Sequence, residues 1–219
     1  MTLEILLAIV AAYLIGSVPN GYLVVKLLTG QDLTQFGSGR TGGTNAMRAG
    51  GLCAGFLTSA LAILKGAVAI WLARWLMSGQ VAQISTFPWV EAAAGVAVVI
   101  GHNWSPFLGF RGGAGTGPNV GAAIALLPSA GLILPPFVPL VLFATGYASV
   151  ASLCAAALIP FLMALGVRYA GLPWEFVGYG LATCGIITWA LRTNIVHLFA
   201  GTERRVSLGA IISHRPSIH

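Results

Sequence analysis

Charge is scarce in this sequence: Lys, Arg, Asp and Glu make up 7% of 219 residues, and only five residues are acidic. A chain so poor in charge, 57% hydrophobic and with mean hydropathy +0.89, is read as an integral membrane protein, not a soluble one. Cysteine is also sparse. Cys53, Cys154 and Cys184 fall singly inside apolar runs without paired spacing, which excludes a disulfide framework and a cysteine-held metal site and suits small core residues. No basic run interleaved with aromatics is present, so the net charge of +6 carries no nucleic-acid signal. The first apolar run has no basic region ahead of it: Glu4 stands there, and the run continues past any cleavage point. It is therefore expected to remain as a membrane helix. Neither a Ser-His-Asp pattern nor a paired-carboxylate set is evident.

What is present is a series of apolar runs. The fold class expected is an all-α polytopic helical bundle in one membrane-embedded domain, 1–219. The first helix covers about 2–28 and is interrupted at Gly16-Ser17-Val18-Pro19-Asn20, a break tolerable in a membrane only against protein or a wet cavity. Further helices are read over about 50–78, 87–101, 118–133, 134–146, 147–167 and 174–191, with turns suggested by Pro128, the pair Pro135-Pro136, and Gly146. That makes seven spans; merging 118–146 into a re-entrant unit gives five. With the N-terminus outside and the C-terminus cytoplasmic, Arg40, Arg48, Arg111, Arg192, Arg204, Arg205 and Arg215 lie inside. Arg74 and Arg168 lie near the outer face, as the positive-inside rule requires.

Three polar stretches, 29–49, 102–117 and 192–205, then emerge on one face. The first contains G-S-G-R-T-G-G-T-N-A-M-R, from Gly37 to Arg48. Its glycines, including Gly37 and Gly39, let the backbone present N–H groups closely. Ser38, Thr41, Thr44 and Asn45 add side-chain hydrogen bonds, and Arg40 and Arg48 add fixed positive charge. Two readings stand at this point: a cradle for a phosphate or other small anion, or a polar loop whose glycines turn the chain. The second stretch supplies Arg111 and a Gly112-Gly113-Ala114-Gly115 turn ahead of a helix start. The third supplies Arg192, Asn194 and His197. Lys65, midway along the second run, has either a functional role or a structural ion pair. His102 beside Asn103 is a structural histidine or one that orients the neighbouring loop, and Glu203 is a loop partner for arginine.

These residues resemble a known family. G-S-V-P-N-G-Y followed by D-L-T-Q-F-G-S-G-R-T-G-G-T-N-A-M-R looks like the first signature of the bacterial acyl-phosphate-dependent glycerol-3-phosphate acyltransferases. The stretch G-H-N-W-S-P-F-L-G-F-R-G-G-A-G resembles the second, R-T-N-I-V-H-L-F-A-G-T-E the third, and L-K-G in the second helix also matches. The resemblance implies transfer of a fatty acyl group from acyl-phosphate to glycerol 3-phosphate, giving lysophosphatidic acid for phospholipid biosynthesis. It implies no cofactor or metal and no covalent intermediate. The substrates and membrane lipid are the partners expected, with no protein partner indicated. The implied location is a bacterial plasma membrane, with the site facing the cytoplasm. Residue by residue, it implies catalytic roles for Ser38, Arg48 and Asn194. It also implies substrate contacts at Thr44, Asn45, Gly112, Gly113 and Gly115; the residues themselves add Gly37, Gly39, Arg40, Arg111 and Arg192 to the expected substrate-binding set, with Lys65, His102, Asn103 and Glu203 supporting the site.

The sequence departs from the family pattern at four places. Ala114 stands where the family has lysine, Leu191 where it has histidine, Ala62 where it has aspartate, and Arg40 where it has asparagine. Arg40 replaces the lost charge in one reading. In another, the chain is a diverged paralogue that binds lipid phosphates without acylating them. A small-anion or lipid transporter ranks third, since no inverted internal repeat is evident.

Overall fold

The computed structural model describes residues 2–78 and 87–206; Arg215 lies outside the described residues. The elements are α1 (Thr2–Ser17), α2 (Asn20–Thr29), α3 (Gly43–Met77), α4 (Phe87–Asn103), α5 (Thr116–Leu126), α6 (Ala130–Thr145), α7 (Ala148–Ala170), α8 (Glu175–Ala190) and α9 (Arg192–Phe199). Short 3₁₀ turns at Leu33–Gln35 and Pro106–Leu108 lie in the loops between α2 and α3 and between α4 and α5. Three stretches are long and apolar enough to cross a membrane: Leu3–Thr29, Gly43–Met77 and Ala148–Ala170. The fold is thus all-helical among the described residues.

The helices approach closely because small residues line their crossings. A Cβ at Gly66 of α3 would strike the Pro118 carbonyl of α5, and one at Gly121 of α5 would strike the Ile63 carbonyl of α3. Gly16 and Gly101 do the same for α1 against α4. Large apolar side chains such as Phe56, Trp75, Leu132 and Phe161 point outward, as expected where the solvent is lipid. Trp89 and Trp174 stack edge-on at 5.0 Å, beside the loop between α7 and α8, at an aromatic interface of the kind that anchors bundle ends. Arg74 grips Glu91 with two hydrogen bonds, 2.7 and 3.2 Å, joining α3 to α4 near that end.

The interruption of the first helix is resolved entirely by protein. Pro19 has no amide hydrogen, and the chain leaves helical geometry there (φ −85°, ψ 64°), freeing three carbonyls. Lys65 Nζ donates to Gly16 O at 2.5 Å and Val18 O at 2.9 Å, and Ser105 Oγ donates to Ser17 O at 2.6 Å. Among the described residues Lys65 forms no ion pair; its ammonium goes to the carbonyls of the break. It closes the broken helix, and Ala62 one turn earlier offers no carboxylate to draw it elsewhere.

Four boundaries differ from expectation. The Pro135-Pro136 pair makes no turn: both lie inside α6, with Pro139. A proline's fixed φ is helical, so these residues cost hydrogen bonds without forcing an end. The break falls at Leu127 (φ −134°, ψ 93°), because the residue ahead of Pro128 is pushed out of helical space. α4 runs on through His102 and Asn103. Thr44, Asn45 and Arg48 lie on the first turns of α3, ahead of a kink where Gly50 and Gly51 leave helical geometry and Gly51 takes φ +76°. Arg192 and Asn194 sit on α9, a separate short helix beyond a break at Leu191.

Candidate active site

The three polar stretches meet at one end of the bundle. The Thr41 amide reaches Gly112 O of the second loop at 3.4 Å. Arg40 Nη2 donates to Ala190 O, at the end of α8, at 2.7 Å. Beyond α9 the chain crosses back over the first loop: Arg204 donates to Gly37 O, and Arg48 Nη2 donates to Arg204 O at 3.4 Å. It then reaches the turn between α6 and α7, where Val206 N meets Gly146 O at 2.8 Å and Arg205 Nε meets the Tyr147 hydroxyl at 3.0 Å.

The first loop is shaped from within by Asn45. Buried at the start of α3, its Nδ2 donates to Phe36 O and Arg40 O at 2.9 Å each, with a longer approach to Leu33 O, and its Oδ1 accepts from Ser38 N at 3.2 Å. Asp32 pins the preceding turn, accepting from Thr34 N at 2.9 Å and Thr34 Oγ1 at 2.6 Å; these bonds hold its carboxyl below the usual carboxylate range. Gly37 and Gly39 adopt positive φ. The result is a tight loop that leaves Ser38 exposed and Thr44 and Arg48 half-exposed. The sequence places Asn45 among the substrate contacts; its amide is instead committed to the loop. Asn45→Asp, nearly isosteric but without the donor, is expected to lower the melting temperature by several degrees. It should also raise the KM for the phosphate-bearing acceptor about tenfold, as two or three backbone carbonyls lose their partner. Thermal unfolding and initial rates on the same preparation check both.

The second loop folds against the end of α4. Gly113 N donates to His102 O at 3.0 Å, and a Cβ at Gly112 would strike that same carbonyl. A Cβ at Gly113 would strike the His102 ring, so His102 is the surface on which the glycine turn lies. Gly115, at φ +85°, opens α5 above Asn103, whose two amide atoms are buried without a partner among the described residues. The hydroxyl of Thr116 is in the same condition.

Not every expected residue joins the cluster. Arg111 is exposed and lines a depression of about 330 Å³ with Tyr22, Leu108 and, from the first stretch, Asp32 and Thr34. Arg192 lies over the Trp189 ring at 4.7 Å and donates to Trp189 O at 3.0 Å, at the mouth of an apolar groove along α8. Asn194 Nδ2 donates to Glu203 Oε1 at 2.8 Å, so Glu203 takes an amide and not an arginine as its hydrogen-bond partner. His197 closes the turn after α9 through Thr202. Arg204 is a residue that sequence reasoning missed. In the sequence it reads only as one more positive charge in a tail, and nothing local announces that the tail returns to Gly37.

The electrostatics favour an anion. Arg40 and Arg48 both lie within electrostatic reach of Glu203, Arg192 adds charge near Arg40, and Arg204 adds it near Arg48. Burial pulls the pKa of Arg40 below the ordinary arginine value; Glu203 opposes this and Arg192 adds to it. The guanidinium nevertheless keeps its charge at neutral pH.

Comparison with known proteins agrees with this arrangement. The profile of the family described as glycerol-3-phosphate acyltransferase matches residues 6–201. A glycerol-3-phosphate acyltransferase of Rubrobacter xylanophilus is 38% identical over 93% of this chain and 95% of its own length. Glycerol-3-phosphate acyltransferase 2 of Moorella thermoacetica is 37% identical over 92% and 97%. Among solved structures, the integral membrane glycerol 3-phosphate acyltransferase PlsY in its glycerol 3-phosphate form superposes with a TM-score of 0.81. Identity is 30%, covering 96% of this chain and 99% of that one. The lysophosphatidic acid form of the same protein gives 0.78 at 28% identity. With a family profile spanning nearly the whole sequence and relatives matched end to end, this chain belongs to the glycerol-3-phosphate acyltransferase family.

Proposed function

We propose that the protein acylates glycerol 3-phosphate with acyl-phosphate as donor, giving lysophosphatidic acid and inorganic phosphate in phospholipid synthesis. The observation that carries this reading is the meeting of three glycine- and arginine-bearing loops at one end of a lipid-facing bundle. Both substrates carry phosphate, which an arginine-rich end attracts, and one carries a lipid tail, which a membrane bundle accommodates. In the reaction a hydroxyl oxygen of glycerol 3-phosphate attacks the acyl carbonyl carbon. The carbon–oxygen bond to phosphate breaks, and the hydroxyl proton leaves with the phosphate. An acyl-phosphate is already activated, so positioning and charge stabilisation supply most of the rate.

Ser38 and Arg48 hold the glycerol 3-phosphate end, assisted by Thr44 and by the backbone of Gly37 and Gly39. The turn Gly112-Gly113-Ala114-Gly115 lies by the donor phosphate, and Asn194 supports the acceptor with its free amide oxygen. His102 and Asn103 shape the second loop and Lys65 the first helix. The chain acts as one membrane-embedded unit of seven spans in a bacterial plasma membrane, N-terminus outside and loops 29–49, 102–117 and 192–205 cytoplasmic. The asymmetric placement of arginine supports that orientation.

The test is donor choice. Purified protein given labelled glycerol 3-phosphate is expected to form lysophosphatidic acid with palmitoyl-phosphate and none with palmitoyl-coenzyme A or an acylated carrier protein. Product with the thioesters alone overturns the donor assignment.

A further inference from the structure

Arg40 sits where the three loops are joined. Its carbonyl accepts from Asn45 at 2.9 Å, its amide approaches Ser38 Oγ at 3.4 Å, and the next amide in the chain meets Gly112 O. The backbone is thus fixed on both sides, and the side chain is delivered across the cluster to the carbonyl of Ala190. Only Nη2 finds a protein acceptor among the described residues; Nη1 is buried and has none among them. Burying an N–H of a charged group without an acceptor is costly, and a site that does so is poised for an acceptor from a ligand. Glu203 lies within electrostatic reach, but it accepts from Asn194 and forms no ion pair with Arg40 among the described residues. Arg192 adds further positive charge.

The neighbouring positions leave this guanidinium to act as the cation. Leu191, directly after Ala190, is buried and apolar, and Ala114 of the second loop is apolar too. Ala114 and Leu191 thus bring no cation to the spot where Arg40 arrives; Arg192 adds charge from nearby, but its guanidinium is held on Trp189. The forked guanidinium suits a phosphoryl group: one arm anchored on Ala190 O aims the other at a fixed point.

We propose that Arg40 is a substrate-phosphate ligand, anchored through Nη2 on Ala190 O and donating through Nη1 to a phosphoryl oxygen of glycerol 3-phosphate or of the acyl-phosphate. This assignment rests on the acyl-transfer reading above. It differs from that reading in making a residue outside the family pattern part of the binding machinery.

The test uses Arg40→Gln and Arg40→Lys in the full-length detergent-purified protein. Initial rates are measured against each substrate in turn, and inorganic phosphate binding is followed separately by calorimetry. Gln, which can still donate to Ala190 O, is expected to raise the KM of one phosphate-bearing substrate about 10–100-fold while leaving the other within about twofold. The substrate affected identifies the phosphate that Arg40 holds. Inorganic phosphate should bind the Gln variant more weakly by a similar factor, with an unchanged melting temperature. Both KM values within twofold of wild type, or a fall in kcat and melting temperature together with neither KM moved, overturns the proposal. Should Gln fail to fold, Lys decides, since it keeps the charge and loses the fork: an unchanged KM for both substrates overturns the assignment. A wild-type protein without turnover would count against the acyltransferase reading. Phosphate binding lost in Arg40→Gln would still support the subsite, and phosphate binding unaffected by the substitution would overturn it.

Discussion

Arg48→Ala is expected to lower kcat/KM for glycerol 3-phosphate about 10²–10³-fold, the range seen when a charged donor to a developing anion is removed. Arg48 projects from the second turn of α3, and its side chain touches the crossing tail at Arg204 O. It is held by structure on two sides: the helix that carries it begins at the loop pinned by Asn45, and the tail beyond it is tied to Gly37. A lysine at this position supplies charge without the two-pronged geometry and is expected to recover about a tenth of the activity. Rates within threefold of wild type for the alanine variant would remove Arg48 from the reaction. The melting temperature should barely move, because the hydrogen bond from Arg48 to Arg204 O is long and exposed to solvent.

Lys65→Met is expected to act in the opposite sense, through stability first and activity second. Methionine matches the length of lysine but donates nothing, so Gly16 O loses its partner inside the helix break and Val18 O keeps only the Asn20 amide. Each unsatisfied buried carbonyl costs about 1–3 kcal/mol. At about 2–4 °C per kcal/mol for a chain of this size, a drop of roughly 5 °C in melting temperature follows. The site then suffers indirectly. α2 starts immediately after the break, and its Gly21 packs against the Thr41 carbonyl of the first loop, so a shifted α2 moves that loop. A variant with wild-type melting behaviour and full activity would show that water or backbone rearrangement satisfies those carbonyls and that Lys65 is dispensable.

Much of this molecule was legible in the sequence because its polar residues are so few. In a chain with 7% charge, each arginine and each glycine-rich stretch stands out against apolar helices, and their spacing places them at one end. The broken first helix was legible from Pro19, whose missing amide is a local fact. What could not be read locally was where each polar group spends its hydrogen bonds. Asn45 looks like a substrate contact until its amide is seen to be taken by three carbonyls of its own loop. Arg111 and Arg192 look equivalent to Arg48, but the first lines a depression with Asp32 and Thr34 and the second turns onto Trp189. Lys65 required two carbonyls 47 and 49 residues away, and Arg204 a glycine 167 residues away. Proline misled in a different manner: Pro128 ends a helix, whereas Pro135 and Pro136 ride inside one, and the difference lies in the conformation of the residue ahead.

The four departures from the family pattern acquire a physical sense in this structure. Ala62 offers Lys65 no carboxylate, and Lys65 serves the broken helix. Leu191 is buried in the core at the α8–α9 break, and Arg40 reaches the carbonyl beside it. On the proposal made above, Arg40 of the first loop takes over the charge missing at Ala114 and Leu191.

The most direct measurement is phosphate release from palmitoyl-phosphate by purified protein, followed from the first turnover with and without glycerol 3-phosphate. Direct transfer within this site predicts no release with the donor alone. With the acceptor present, it predicts one phosphate for each lysophosphatidic acid formed. A stoichiometric burst of phosphate in the absence of glycerol 3-phosphate would mean that the acyl group first passes to the protein, contradicting the account.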